Sequence, residues 1–166
     1  AGDTTAACFG AAFDIGTTTL AGSLLDLRTG REAAVAASMN PQAACGDDVL
    51  SRILHAAGPG GLERLHGVVV AAINAMLDEL CGQAGIAREA VYALSFAGNT
   101  TMEHLLCGLD PAALGQVPFV PVFRDALDVP AADLGVPVHP LGRALVFPVI
   151  GGFVGGDTVA CMLAQD

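Results

Sequence analysis

The chain has 166 residues, 7 Lys+Arg against 17 Asp+Glu and a formal net charge of −10. With 53% hydrophobic and 14% charged residues it is core-rich, of single-domain length, and needs no disulfide staple. Every basic residue is an arginine, which excludes a lysine-bearing P-loop or a Schiff base and leaves amides, hydroxyls, arginine or metal to hold phosphate.

Residues 9–16, Phe-Gly-Ala-Ala-Phe-Asp-Ile-Gly, read as a buried strand that ends on an acid and a glycine. Thr18 to Leu27 reads as a second strand, residues 28–31 as a turn, and Glu32 to Met39 as a third, giving an antiparallel meander. The pattern then turns helical. Asp47 or Asp48 caps a helix with Val49, Ile53 and Ala57 on one side and Leu50 and Leu54 beside them, and Gly58-Pro59-Gly60-Gly61 stops it. Leu62 to Gln83 reads as a longer helix whose apolar face carries Leu65, Val69, Ala72, Ile73, Met76 and Leu80.

A strand follows at Val91 to Phe96, then a helix opened by Thr100 and Glu103 at capping-box spacing and closed by Gly108. The stretch from 110 to 140 holds Pro111, Pro118, Pro121, Pro130, Pro137 and Pro140, so loops, turns and edge strands are expected there. Ala144 to Ile150 reads as a strand and Asp157 onward as a helix capped by Asp157. The order predicts an α/β domain with a mixed sheet that starts in a three-stranded antiparallel meander and has helices packed on it.

Arginines 28, 31, 52, 64, 88, 124 and 143 form no basic stripe, so nucleic acid is not an expected partner. Gly67 to Leu77 is too short for a bilayer, and no basic residue precedes the N-terminal apolar run, so no membrane partner and a cytoplasmic location are expected. Cysteines 8, 45, 81, 107 and 161 lack metal-motif spacing and read as reduced, buried packing residues. His55, His66, His104 and His139 show no ligand spacing and read as surface or satisfied helical residues, and Arg52 as a solvated arginine or one paired with Asp47 or Asp48.

The stretch with most chemical content is Asp14-Ile15-Gly16-Thr17-Thr18-Thr19. Gly16 lets the backbone turn tightly around a phosphate, and the amides and hydroxyls of Thr17, Thr18 and Thr19 are donors to its oxygens. Asp14 would repel phosphate directly, so its use there requires a hard cation such as Mg2+, directly or through water. An ordinary hairpin in which Asp and Thr satisfy the turn accounts for the spacing equally well. Gly98-Asn99-Thr100-Thr101 marks a strand giving way to a helix, and either Asn99 or Thr100 suits the cap. Gly151, Gly152, Gly155, Gly156 and Asp157 make a second glycine-rich turn, without the spacing of a dinucleotide fingerprint.

The Asp-Ile-Gly-Thr-Thr hairpin resembles the first phosphate-binding hairpin of the sugar kinase, Hsp70 and actin superfamily. Asn40-Pro41-Gln42, Gly46-Asp47-Asp48-Val49, Ser51-Arg52-Ile53, Gly98-Asn99-Thr100-Thr101-Met102 and Gly108-Leu109-Asp110-Pro111 narrow the resemblance to the reductive activators of corrinoid enzymes. It runs from about residue 10 to the end. It implies a ribonuclease H-like, actin-like ATPase subdomain over 1–143, with 144–166 a connecting strand and helix toward a second subdomain. The resemblance further implies ATP and Mg2+ as cofactors, a [2Fe–2S] cluster in a separate N-terminal domain, a corrinoid protein of a methyltransferase system as partner, and a parent able to form a homodimer.

By that resemblance, Asp14 holds the metal, Gly16 to Thr19 with Gly98 and Asn99 meet the phosphates, and the 151–157 turn is a hinge or cleft wall. Cys45 stands where the family usually has Tyr or a similar residue. No second Asp-Ile-Gly-Thr hairpin and no four-cysteine pattern occur, so the chain reads as a first subdomain, inactive by itself. Two alternatives are a small-molecule kinase or other activase of the same superfamily, and a non-enzymatic docking module for a corrinoid protein.

Overall fold

The computed structural model describes residues 6–165. Six strands form one mixed sheet in the order β3-β2-β1-β4-β6-β5. The meander is present: β1 (Phe9–Ile15), β2 (Thr19–Asp26) and β3 (Arg31–Met39) pair antiparallel. β4 (Val91–Gly98) then joins β1 in parallel, and β6 (Arg143–Val146) joins β4 in parallel. The proline-rich stretch contributes β5 (Leu127–Pro130), which pairs antiparallel with β6 at the sheet edge, the position where Pro130 costs no interior ladder bond. β6 is shorter than its apolar run, because the chain leaves the ladder after Phe147 donates to the Phe96 carbonyl.

Alternation along β1 sends Phe9, Ala11, Phe13 and Ile15 to one buried face and Asp14 to the other. On the buried face lie α1 (Val49–Ala56), α2 (Gly61–Ala84) and α3 (Thr100–Leu106). α2 is long and apolar enough to cross a membrane, yet it is the core helix: Leu65, Val69, Ile73, Leu77 and Leu80 are all fully buried among the strands. Each such side chain contributes about 1.5–3 kcal/mol through burial. Met76 and the Phe13 ring fill the space a Cβ at Gly22 would take, at 2.8 and 3.0 Å, and Phe13 stacks on Phe96 with centroids 5.3 Å apart. On the opposite face α4 (Gly156–Leu163) packs on β4 beside a hollow of about 650 Å³ lined mainly by Ala, Gly and Ser.

Of the two residues suited to the α3 cap, Asn99 takes it, accepting from the Met102 amide at 3.1 Å, which releases Glu103 to bond elsewhere. One cap differs from expectation: Gly155 is the N-cap of α4, and Asp157 lies inside its first turn, accepting from the Thr158 amide at 2.7 Å. For α1 the choice is Asp48, in a reciprocal capping box with Ser51. Leu50 and Leu54 are 55% and 76% exposed, because the inward face of α1 is formed by Arg52, Ile53 and Ala56.

Candidate functional site

The three parallel strands end on one side of the sheet, the side on which α/β folds gather ligands. β1 runs out at Ile15 into the 16–18 loop, β4 at Gly98, and β6 leads through Phe147 to the 151–156 turn. Two glycines allow these ends to meet. A Cβ on Gly98 would lie 2.8 Å from the Ile15 carbonyl oxygen, and one on Gly155 would collide with the Gly98 carbonyl and the Thr100 amide. Asn99 Nδ2 donates to Thr17 Oγ1 at 2.9 Å, and Thr100 Oγ1 donates to the Gly151 carbonyl at 2.6 Å. The structure therefore brings the hairpin, the β4–α3 turn and the 151–157 turn into one contiguous edge.

In the hairpin loop the carbonyls are held from beneath. Asn40 Nδ2 donates to the Gly16 carbonyl at 2.8 Å, Arg52 Nη2 to the Thr17 carbonyl at 2.6 Å, and the Asn40 amide to the Thr18 carbonyl at 2.8 Å. The loop's oxygens are thereby turned inward, Thr18 and Thr19 are exposed, and Thr17 Oγ1 accepts from Asn99. Arg52 is fully buried, contrary to the solvated or carboxylate-paired arginine expected from sequence, because backbone carbonyls and Gln42 satisfy it where Asp47 and Asp48 were the anticipated partners. Asn40 and Gln42 are buried too; Gln42 Nε2 donates to the Leu65 carbonyl at 2.9 Å, tying the loop to α2. The sequence signals for this layer were the Asn-Pro-Gln and Ser-Arg-Ile blocks.

Three carboxylates lie near this edge. Asp14 is held above the usual carboxylate range by partial burial and then by the nearby charge of Asp157. Glu103 is fully buried, and burial pushes it up to about 8, opposed by amide donation from Gly98 and Gly156. Its Oε1 accepts from the Gly98 amide at 3.3 Å and occupies the place of a Cβ on Gly156, while Oε2 has no partner. Glu103 thus sits between β4 and the start of α4, where burial favours its protonated form, in place of the cap role that sequence spacing had assigned to it.

Among the remaining candidates, His104 is buried and satisfied: Nδ1 donates to the Thr100 carbonyl at 2.7 Å, Nε2 accepts from the Val122 amide at 2.9 Å, and the ring stacks on Phe123. Burial lowers its pKa and both nitrogens are used, so it is a neutral structural residue. Cys81 is buried as expected and Cys45 packs against the core, whereas Cys161 is exposed. Among the described residues no three His, Cys, Asp or Glu side chains form a metal-binding group.

A meander continued by parallel strands, with its turns converging at their C-terminal edge, is the actin-like α/β fold, present here as one sheet with its helices. A solved reductive activator for a corrinoid, iron–sulfur protein superposes with a TM-score of 0.95 at 36% identity, over 99% of this chain and 26% of that one. The corrinoid activation enzyme RamQ of Eubacterium limosum is 36% identical over 156 residues, 93% of this chain and 26% of RamQ. The family model for the RACo middle region matches residues 9–166, and the chain belongs to that family. It spans about a quarter of the length of these relatives.

Proposed function

We infer that this chain supplies the first phosphate-binding half of an ATP-driven activator that returns an inactive Co(II) corrinoid to Co(I). The observation that carries the reading is the 16–18 loop, whose three carbonyls are drawn inward by Asn40 and Arg52 at the C-terminal edge of the parallel strands. That arrangement fits an anion with several oxygens. Asp14 and Asp157, two carboxylates near enough for one to raise the other, fit a divalent cation that relieves their repulsion. The residues present therefore suit Mg-ATP: Gly16 to Thr19 for the phosphates, Asn99 beside Thr17 at the outer end, and Asp14 for the metal, directly or through water. When bound, Mg2+ supplies charge neutralisation at the phosphate oxygens. The 151–157 turn, bonded by Thr100 at Gly151 and approached by Glu103 at Gly156, is the hinge through which closure on nucleotide reaches the rest of the protein.

Taking Co(II) to Co(I) requires one electron at a low potential, uphill from ordinary donors. ATP makes it possible only if nucleotide-bound and nucleotide-free states differ in affinity for the corrinoid protein or its redox states. The electron is assigned to a [2Fe–2S] cluster borne elsewhere in the protein, of whose relatives this chain spans about a quarter. The setting is a cytoplasmic methyltransferase system, with a parent able to dimerise. The test is Co(I) absorbance when intact protein, a reductant and a corrinoid protein are mixed with and without Mg-ATP; ATP-independent reduction would sink the reading. A second reading, a small-molecule kinase, calls for an aspartate base at the cleft edge, where Asn99, which is no base at neutral pH, stands instead. Release of inorganic phosphate without a phosphorylated acceptor rejects it.

A further inference from the structure

Arg52 is the largest side chain in the molecule that is both charged and fully buried. Its Nε donates to the Gly46 carbonyl at 2.9 Å, Nη2 to the Thr17 carbonyl at 2.6 Å, and Nη1 lies 3.3 Å from Gln42 Oε1 and 3.0 Å from Met102 Sδ. Every acceptor is neutral. The ion pairs among the described residues belong to Arg28, Arg88 and Arg143, and no carboxylate lies within ion-pair distance of Arg52. Asp47 and Asp48 act on it only through space, and the Asp48 side chain is committed to the Ser51 amide. A buried guanidinium without a counter-charge is costly, and carbonyl dipoles offset that only in part.

The shortest of its bonds goes to the one segment already assigned to phosphate. We propose that Arg52 is the positioning residue of the phosphate loop, fixing the Thr17 carbonyl inward so that the loop's N–H groups face out, and that the counter-charge it lacks is the bound polyphosphate. This rests on the nucleotide reading above. Arg52 touches the loop from behind, so it acts through the 16–18 backbone and through its field, and a fully buried unit charge is screened less than one at the surface. A purely structural arginine, tying α1 to β1, would make the same bonds but would carry no preference for charged over neutral ligands.

The experiment separates the two. In the intact protein, Mg-ATP and adenosine are titrated calorimetrically into wild type, Arg52→Met and Arg52→Lys, with thermal melting as the fold control. Arg52→Lys keeps the charge and loses the fork, so it should fold and bind Mg-ATP about tenfold more weakly, and Arg52→Met about a hundredfold more weakly, with adenosine affinity unchanged in both. If Arg52→Met does not fold, Arg52→Lys decides alone. Parallel loss of ATP and adenosine affinity in Arg52→Lys, or no loss of either, overturns the proposal while leaving the nucleotide reading intact. Wild-type protein that binds no Mg-ATP overturns both.

Discussion

Replacing Glu103 by Gln should flatten a pH dependence of stability that the protein otherwise has. The carboxyl is fully buried, accepts from the Gly98 amide through Oε1 and leaves Oε2 without a partner. Its folded-state pKa is about 8 against an ordinary 4.5, raised chiefly by burial. Between those two values the folded protein keeps a proton that the unfolded chain has released. Stability is therefore full below pH 4.5, falls as pH rises, and the loss is complete above about 8. At about 1.4 kcal/mol for each tenfold change in proton affinity, the loss has a ceiling of about 5 kcal/mol, which any water reaching the carboxylate around a loosened α4 lowers. Gln keeps the acceptor for Gly98 and cannot ionise. His104 titrates with the opposite sign, because its folded pKa lies below 6.5 and stability rises with pH as the unfolded chain gives up its proton. Both proteins share that contribution, so the informative quantity is the difference between them. Urea unfolding from about pH 5 to about pH 8.5 measures it. A Glu103→Gln variant with the wild-type slope would refute protonation of the buried carboxyl.

Two substitutions test the contiguous edge. Asn99→Ala removes both the α3 cap and the bond to Thr17 Oγ1, and should cost about 1–2 kcal/mol in urea unfolding while speeding amide exchange in the 16–19 loop; an unchanged loop would show that the Asn99–Thr17 bond does not order it. Gly155→Ala places a methyl against the Gly98 carbonyl and the Thr100 amide, so α4 must shift outward. Amide exchange should rise throughout 156–163 with α2 unaffected, and wild-type protection there would mean the turn accommodates a side chain.

How much of this was legible in the sequence depends on where each signal lived. The β1–β2 hairpin and α2 were readable because their information is periodic: alternate residues face the core in β1, and Leu65, Val69, Ile73 and Leu80 recur at helical spacing. β5 was hidden because four residues ending in Pro130 carry too short a pattern to separate from the turns around them. Arg52 was misjudged because its partners are backbone carbonyls contributed by Gly46 and Thr17, and no residue type announces a carbonyl. Glu103 was misread for a related reason. Its spacing from Thr100 matched a capping box, but Asn99 already satisfied the cap, and the glutamate turned to amides from β4 and α4. Asp157 followed the same rule, displaced from the cap because Gly155 allows the close approach to Gly98. The polar layer that organises the site is thus made of long-range bonds to main chain, which local sequence pattern does not encode.

Calorimetric titration of Mg-ATP into the intact protein and its Asp14→Ala variant tests the central claim most directly. The account predicts magnesium-dependent ATP binding in the wild type that weakens by about a hundredfold or more in Asp14→Ala, with the melting temperature unchanged or raised, since the Asp14 carboxylate is partly desolvated and repelled by Asp157. Wild-type affinity in the variant, or ATP binding indifferent to magnesium, would contradict it.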